Sequence, residues 1–277
     1  MPEIKNVSGT AFIIAEFRAE ENAAPDPLYR DEIVRLFLDR NSAQVAHQVA
    51  QSFPPVKDMV KLRTRYFDDV LSQQLALGYR QVVILGSGLD TRAVRMSAPG
   101  VRYFEIDQAA TATLQLKAER LAANNIAAEV TYIPGDYVKD DLIALLENNH
   151  FNLQLPTYFL WEGNVTYLEQ EDIIAVLDTI RNHVKHFKLS LDYLSNRVIA
   201  KTTGYVELDD YIEQLEQRGA PWITGFQDMA GFTKSLGLDI VETYSAAQLH
   251  DRYRPQLPLP SPIFQFYFVC TITRSGI

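Results

Sequence analysis

Four short apolar runs in the middle of the chain are each followed by residues that can hold a nucleoside. In chain order these residues are Gly86-Ser87-Gly88, Asp107, Asp136-Tyr137 and Glu162. Glycine has no Cβ, so a ligand can approach its backbone closely. A carboxylate at the end of a strand can accept hydrogen bonds from both ribose hydroxyls, and a later aspartate can bond the adenine amine. The series therefore predicts a binding site for a ligand that contains adenosine.

The first of these loops, Leu85–Arg92, favours a ligand without a pyrophosphate. A dinucleotide fingerprint needs a third glycine at position 91, where this chain has Thr91. Asp90 also puts a negative charge at the helix N-terminus that a pyrophosphate would occupy. A cationic ligand with an amino-acid end fits this loop better. A tight strand-to-helix turn would also explain Gly86 and Gly88 taken alone.

Four carboxylates at or near the strand ends are candidates for the site. Asp107 lies nearer the end of the second strand than Glu105, so we assign Asp107 to the ribose and Glu105 to a structural role in the core. Asp136 is assigned to the adenine amine with Tyr137 lining the ring pocket, and a helix N-cap is the alternative for Asp136. Glu162 follows the fourth strand, at the edge where open α/β sheets bind their ligands.

The elements that carry these side chains follow from the apolar pattern. Continuous apolar runs, typical of strands covered on both faces, alternate with helical patterns, which predicts a doubly wound, mostly parallel sheet. The predicted strands are 81–86, 101–107, 129–134, 157–161, 187–193, 239–243 and 264–273. The first predicted helix begins at Ser8 or Thr10 and ends at about Glu20. The other predicted helices are 29–40, 57–77, 91–97, 109–124, 140–148, 170–186, 205–218 and 226–236.

The last two strands differ from the others in their connection. Residues 244–263 contain four prolines (Pro255, Pro258, Pro260 and Pro262), so we expect no helical crossover and an antiparallel last strand. The prediction is an α/β, Rossmann-like domain of 1–277 with a seven-stranded sheet. Within it, 1–80 form a helical N-terminal cap, 81–193 the cofactor-binding core, 194–225 a lid insertion and 226–277 a C-terminal helix and strands.

Seven stretches together resemble one known family. They are GTAFIIAEFRAEE from Gly9, PDPLYRDE from Pro25, RTRYFDD from Arg63, VVILGSGLDTRAVR from Val82, YFEIDQ from Tyr103, the GDY turn at Gly135 and FLWEGNVTYL from Phe159. This series is similar to the leucine carboxyl methyltransferase family, and more narrowly to its bacterial branch of S-adenosylmethionine-dependent O-methyltransferases, some linked to polyketide-type metabolism. The resemblance extends from about residue 8 to 193 and is weaker beyond.

The resemblance implies a class I methyltransferase fold, S-adenosyl-L-methionine as the cofactor and a role for each matching residue. Arg63 would hold the carboxylate of the methionine moiety, which Gly86 and Gly88 approach. Asp107 would take the ribose hydroxyls, and Asp136 with Tyr137 the adenine. Glu162 would lie near the methionine amino group. Arg65 is the alternative to Arg63, and a solvated helix face is the structural alternative for both.

The methyl acceptor is less well defined by the sequence. A carboxylate needs no general base, whereas a phenol or alcohol does, and none of the five histidines has a strong claim to that role. This favours a carboxylate or an acidic hydroxyl of a small molecule, although the family also includes enzymes that methylate a protein C-terminus. Tyr167, Tyr205 and Trp222 are candidate acceptor contacts, with packing of the lid or core as the alternative.

Composition limits the remaining functions. The net charge of −9 and the lack of a basic cluster exclude a typical nucleic-acid-binding protein. Cys270 has no partner cysteine and is interpreted as a core residue, and no metal site is predicted. No signal peptide or membrane span is recognisable, so we expect a cytoplasmic protein. The two alternatives are a nicotinamide-dependent oxidoreductase and a non-catalytic protein that binds S-adenosylmethionine. The oligomeric state is left open.

Overall fold

Two fully buried strands form the centre of the sheet, β1 (Gln81–Leu85) and β4 (Thr157–Trp161). Side chains alternate along each strand, so Val82 and Ile84 of β1 join the core on one face and Val83 joins the core on the other. Both faces are covered by helices, which explains why these strands read as continuous apolar runs.

The computed structural model describes residues 7–108 and 112–276 and contains a seven-stranded sheet of order β3-β2-β1-β4-β5-β7-β6. The other strands are β2 (Arg102–Asp107), β3 (Val130–Pro134), β5 (Phe187–Leu194), β6 (Leu238–Ser245) and β7 (Tyr267–Arg274). Strands β1 to β5 pair in parallel, and β7 lies antiparallel between β5 and β6. The predicted doubly wound sheet with an antiparallel last strand is confirmed.

Eleven α-helices and three 3₁₀ helices are found in the described part of the chain. The α-helices are α1 (Val7–Glu21), α2 (Arg40–Ser52), α3 (Pro55–Ala76), α4 (Arg92–Arg95), α5 (Thr113–Ala123), α6 (Leu142–Glu147), α7 (Gln170–His183), α8 (Asn196–Ile199), α9 (Val206–Gln217), α10 (Met229–Ser235) and α11 (Ala246–Tyr253). The 3₁₀ helices are Ile33–Phe37, Val165–Tyr167 and Pro262–Phe266. Residues 109–111 of the predicted helix 109–124 lie outside the described residues.

The prediction of a helix over 29–40 is wrong. That segment contains only the 3₁₀ helix Ile33–Phe37, and α2, which we did not predict, begins at Arg40. The carboxylate of Asp39 accepts hydrogen bonds from the backbone amides of Asn41 and Ser42, and the Ser42 hydroxyl accepts one from the Asp39 amide. This capping box fixes the start of α2 and therefore ends the preceding segment.

A second helix that we did not predict, α11, lies between β6 and β7. Ser245 and Gln248 form a capping box at its start, and the four prolines follow the helix rather than interrupt it. The helix does not serve as a parallel crossover, because β7 returns antiparallel to β6.

The long helix α3 positions the functional residues of the N-terminal segment. Its residues Leu62, Tyr66 and Phe67 belong to the core on one face of the sheet, whereas α7 packs on the opposite face. The Tyr66 hydroxyl lies 2.7 Å from the Thr271 hydroxyl of β7, which fixes α3 against the sheet. No helix in residues 7–108 and 112–276 is long and apolar enough to cross a membrane.

Candidate functional site

A cavity of about 370 Å³ opens at the carboxyl ends of the parallel strands. It lies where the chain order reverses between β1 and β4, the position at which doubly wound sheets bind ligands. All seven residues predicted to bind the cofactor line this cavity: Arg63, Gly86, Gly88, Asp107, Asp136, Tyr137 and Glu162. The structure thus brings together residues from α3 and from the ends of four strands.

The turn after β1 requires glycine at two positions. Gly86 has φ +62° and Gly88 φ +48°, in the left-handed region that favours glycine. A Cβ on Gly86 would lie 2.7 Å from Cγ of Asn164, closer than such atoms approach. The side-chain amide of Asn164 donates hydrogen bonds to the backbone carbonyls of Leu85, Gly86 and Glu162. Asn164 therefore joins the turn after β1 to the end of β4.

Asp107, the last residue of β2, is held beside this turn. Its Oδ2 accepts hydrogen bonds from the Gly88 amide at 2.8 Å and from the Thr113 hydroxyl at 2.9 Å, and Oδ1 accepts one from the Gln108 amide. A carboxylate has about four acceptor positions, so these three bonds orient the group and leave Oδ1 able to accept another donor.

Asp136 and Tyr137 form the next part of the cavity wall. Asp136 Oδ2 accepts a hydrogen bond of 3.0 Å from the side-chain amide of Gln108, and Oδ1 accepts one from the backbone amide of Val138. Asp136 caps a turn, and the N-cap of α6 is Asp141 instead. The Tyr137 hydroxyl accepts a hydrogen bond of 3.1 Å from the Trp161 indole, whose ring lies edge-on to the tyrosine.

A buried group of charges closes the opposite end of the cavity. Arg63 Nε donates to Glu162 Oε1 at 2.9 Å, and Nη1 donates to Asp192 Oδ2 at 3.1 Å and to the Tyr267 hydroxyl at 2.9 Å. The Tyr267 hydroxyl donates in turn to Asp192 Oδ2 at 2.6 Å, and Asp192 Oδ1 accepts a hydrogen bond from the Gly163 amide. This arrangement fixes Arg63 between two carboxylates from neighbouring strands.

Arg92 extends this group of buried ion pairs away from the cavity. Its guanidinium pairs with Glu162 at 2.8 Å, with Asp68 of α3 at 2.7 Å and with Asp90. Burial alone would raise the pKa of Asp90, but the positive charges of Arg92 and Arg18 outweigh it and lower that pKa below its ordinary value. Asp90 is therefore ionised in the folded protein, and its charge would repel a pyrophosphate at this turn.

Helix α1 is attached to this turn by a further group of buried side chains. Arg18 pairs with Asp31 and donates hydrogen bonds to the Leu89 carbonyl and the Thr91 hydroxyl, which lies 2.8 Å from Asp31. Thr91 therefore occupies the position of the missing third glycine with a structural role of its own. It ties the N-terminal segment to the first loop.

The structure distinguishes Arg63 from Arg65 and Asp107 from Glu105 as candidate cofactor contacts. Arg65 does not line the cavity; it pairs with Asp69 on the same helix at 2.8 Å and is more than one third exposed. Arg63 is therefore the arginine of α3 at the site. Glu105 is buried away from the cavity and pairs with Lys117, in agreement with its interpretation as a structural acid.

The segment 194–225 covers the cavity from the opposite side. Tyr211 and Trp222 line the cavity with their rings edge-on to each other, and Tyr167 lies beside them. The Ile223 amide donates to the Thr166 carbonyl, which ties this segment to the loop after β4. Removal from water raises the pKa of the Tyr167 hydroxyl, which faces Trp222 and Thr10.

The placement expected for Tyr205 is corrected by the structure. Tyr205 precedes the first residue of α9, and its ring packs on Phe266 at 6.0 Å between centroids rather than lining the cavity. The position of a tyrosine near a helix in sequence did not reveal that this one faces the core. Of the three candidate acceptor contacts, the structure brings Tyr167 and Trp222 to the cavity.

Three site residues were missed in the sequence: Asn164, Asp192 and Tyr267. Asp192 carries a signal, because an aspartate inside the buried run of β5 requires a partner. Tyr267 carries none, since a tyrosine at the start of a strand is ordinary. None of the histidines lines the cavity, and residues 7–108 and 112–276 contain no group of acids, histidines or cysteines suited to a metal ion.

Solved structures with the same fold include methyltransferases. A DUF574 family protein from Streptomyces avermitilis superposes with a TM-score of 0.68 at 12% identity and covers 96% of this chain and 97% of its own. Magnesium protoporphyrin IX methyltransferase from Synechocystis, solved with bound S-adenosylhomocysteine, gives 0.53 at 14% identity over 88% of this chain and 99% of its own. At these identities the likeness concerns the fold.

Relatives found by sequence have a higher percentage of identical residues. A protein of Mycolicibacterium smegmatis named "Putative S-adenosyl-L-methionine-dependent methyltransferase" is 35% identical over 185 residues, 59% of this chain and 56% of that protein. The chain thus spans little more than half the length of this relative. A second protein of that organism, with the same name, is 32% identical over 214 residues, 72% of this chain and 71% of its own.

The family itself is identified by a broader match. The model of the leucine carboxyl methyltransferase family matches residues 11–181, which is more than half of the chain and includes every strand end that lines the cavity from β1 to β4. The resemblance drawn from the sequence motifs is thereby confirmed, and this chain belongs to the leucine carboxyl methyltransferase family.

Proposed function

We propose that this chain is an S-adenosyl-L-methionine-dependent O-methyltransferase that acts on a small molecule with an ionised oxygen. The observation that carries this proposal is the order of charges along the cavity. Acids that suit a nucleoside, Asp107 and Asp136, lie at one end, and the pair of Arg63 and Glu162 lies at the other. This order complements a ligand with a nucleoside at one end and a zwitterionic amino acid at the other.

The residues present fit the cofactor. Gly86 and Gly88 line the cavity at positive φ and present backbone without a Cβ to a ligand, and Asp107 has an acceptor position left on Oδ1 for a ribose hydroxyl. Asp136 and Tyr137 suit the adenine, Arg63 the methionine carboxylate and Glu162 the amino group. Thr91 and the ionised Asp90 disfavour a dinucleotide at this turn, which argues against a nicotinamide-dependent oxidoreductase.

When bound, S-adenosyl-L-methionine supplies an electrophilic methyl group on a sulfonium centre. The contribution of the chain is to hold the acceptor oxygen in line with that group and to exclude water. Such positioning accounts for up to about 7–11 kcal/mol of barrier reduction in well-oriented reactions. No histidine of the described residues lines the cavity, so an acceptor that needs no general base fits best. A carboxylate or an acidic hydroxyl meets that condition.

The wall opposite the charged strand ends favours a small, apolar acceptor. Helices α1 and α3 contribute Ile13, Ile14, Phe17, Met59 and Val60, and the lid contributes Tyr211, Leu215 and Trp222. Apolar and aromatic walls with few polar groups are typical of small-molecule sites. We therefore favour a small molecule over a protein C-terminus as the acceptor, with Tyr167 and Trp222 as contacts.

The test is methyl transfer from S-adenosyl-L-methionine with a labelled methyl group to a panel of apolar carboxylic acids and phenols. Label that becomes volatile as methanol after mild alkali identifies a methyl ester, and label that is stable to alkali in an organic extract identifies an ether. Either result supports O-methylation. Label attached to nitrogen or carbon, or no transfer by protein that binds the cofactor to any oxygen acceptor, would contradict it.

A further inference from the structure

Positive and negative charges are distributed unequally around the cavity. Its acidic lining residues lie after the strands of the sheet or near their carboxyl ends, and they are Asp90, Asp107, Asp136, Glu162 and Asp192. The lid contributes a different set, which comprises Tyr211, Gln214, Leu215, Arg218, Ala220 and Trp222. The one formal charge among these lid residues is the guanidinium of Arg218. Most acids of the floor are paired with bases, whereas the lid contributes a single positive charge.

Arg218 also differs from the other basic residues that line the cavity, because it has no acidic partner in the described part of the chain. Arg18 pairs with Asp31, Arg63 pairs with Glu162 and Asp192, and Lys139 pairs with Asp136. Among residues 7–108 and 112–276, no carboxylate lies within ion-pair distance of the Arg218 guanidinium. A half-buried cation attracts an anion more strongly than a fully exposed one, because less water competes for it.

The position of Arg218 on α9 directs it to the acceptor side. Tyr211, Gln214, Leu215 and Arg218 are spaced three, four and seven positions from Tyr211, so they share one face of the helix. The charge of Arg218 acts on the Tyr211 hydroxyl together with that of Arg63, although burial raises the pKa of this tyrosine overall. The Tyr211 ring itself stacks on Phe53 at 4.4 Å and meets Trp222 edge-on at 5.5 Å.

We infer that Arg218 binds an anionic oxygen of the acceptor, so that the acceptor is an apolar acid whose body lies against α1 and α3. This inference rests on the proposed function and defines the substrate class for it. A guanidinium binds a carboxylate through two parallel hydrogen bonds, which gives direction as well as affinity. The bases of the floor are already paired with acids, so among the described residues that line the cavity Arg218 is the cation most available to that group.

Arg218 also lies at the C-terminus of α9, where any cation complements the helix dipole. That role alone would affect the stability of the lid but would not distinguish a charged ligand from its neutral analogue. The test therefore compares acids with their amides. Calorimetry is performed on protein saturated with S-adenosylhomocysteine, with 3-phenylpropionate and octanoate as probes, each beside its primary amide.

We expect both acids to bind wild-type protein at least about tenfold more tightly than their amides, the order of effect of hydrogen bonds to a charged group. In Arg218→Gln, acid and amide should bind equally, with amide affinity unchanged. Lys201→Ala is the matched control, because Lys201 is an exposed cation of the same segment that pairs with Glu213 and does not line the cavity. It should keep the wild-type preference.

Two results would overturn the inference: acids that bind wild-type protein no better than amides, or a preference that survives in Arg218→Gln. S-adenosylhomocysteine is titrated first into each variant, which separates the two proposals. If it binds to wild-type protein and the acid preference is absent, the assignment of Arg218 alone is wrong. If it does not bind at all, the proposed function fails.

Discussion

The backbone amide of Gly88 donates a hydrogen bond of 2.8 Å to Oδ2 of Asp107, 19 positions further along the chain. The glycine turn after β1 and the acid at the end of β2 are therefore one structural unit, although they appear as separate motifs in the sequence. Strands β1 and β2 pair in parallel with Leu85 opposite Ile106, so their ends meet at the same edge of the sheet. A ligand that contacts Asp107 must lie against the glycine turn.

Gly86→Ala should abolish cofactor binding and destabilise the protein. The new Cβ would meet the Asn164 side chain and would stand on a residue with φ +62°, which alone costs about 1–2 kcal/mol. Gly100→Ala is the matched control, since Gly100 has φ +75° but no atom within 4 Å of the added Cβ. In this control, only the strained backbone conformation should lower the free energy of unfolding, which is measured with denaturant. Its affinity for S-adenosylhomocysteine should be unchanged. Normal affinity in Gly86→Ala would contradict the assignment of this turn to the cofactor.

Arg63→Ala should lower the free energy of unfolding by about 3–5 kcal/mol, the cost typical of removing one partner of a buried ion pair. The reason is that Asp192 would lose its cationic partner in a buried site, while Glu162 would keep only its pair with Arg92. Arg65→Ala removes the same side chain two positions away from a partly exposed pair with Asp69, and should cost about 1 kcal/mol or less. Urea unfolding of both variants measures these changes. Equal losses of unfolding free energy in the two variants would contradict the prediction.

Stability should fall in acid through Asp90. Because its pKa in the folded protein is below the ordinary 3.8, the unfolded chain binds more protons as the pH falls below about 4. The stabilising contribution of Asp90 is thus fully present above about pH 5 and is lost progressively below pH 4. Asp90→Asn should be less stable than wild type at pH 7, with a difference that shrinks at pH 3–4.

Urea titrations from pH 3 to 7 measure this difference. Asp210→Asn serves as the control, because Asp210 is exposed and distant in sequence from the Arg92 group; its unfolding curve should follow wild type throughout. A difference between wild type and Asp90→Asn that stays constant with pH would show that the charge of Asp90 is not responsible.

Two aromatic residues of the lid segment should behave in opposite ways. Trp222→Ala removes a cavity wall, so we expect weaker acceptor binding, raised KM and unchanged affinity for S-adenosylhomocysteine. Tyr205→Ala removes a ring that packs on Phe266, so it should lower stability by about 1–3 kcal/mol without changing the KM. Acceptor kinetics beside thermal unfolding distinguish the two. A raised KM in Tyr205→Ala would mean that this ring does reach the acceptor.

The parallel part of the sheet could be predicted because its strands are buried on both faces. In β1 and β4 every residue is buried, which produces uninterrupted apolar runs whose ends can be located within one residue. The ends of such strands must lie together, so Gly86, Asp107 and Glu162 could be assigned to one site from their positions alone.

Other parts of the site depend on contacts that a local sequence pattern does not predict. Asp192 accepts hydrogen bonds from Arg63, 129 positions earlier, and from Tyr267, 75 positions later, and both distances in sequence are fixed only by the sheet order. Helix α2 was missed because its start depends on a single capping box at Asp39. Tyr205 and Trp222 both belong to the segment 194–225, and only packing on Phe266 shows that Tyr205 faces away from the cavity.

The most direct test is calorimetric titration of S-adenosyl-L-methionine into wild-type protein, Asp107→Ala and the control Asp210→Ala, with NAD as the competing ligand. We predict micromolar binding to wild type and to the control, a loss of at least about tenfold in Asp107→Ala because a charge-assisted hydrogen bond to the ribose is removed, and no displacement by NAD. Binding of NAD without binding of S-adenosyl-L-methionine or S-adenosylhomocysteine would contradict the account. So would full affinity in Asp107→Ala.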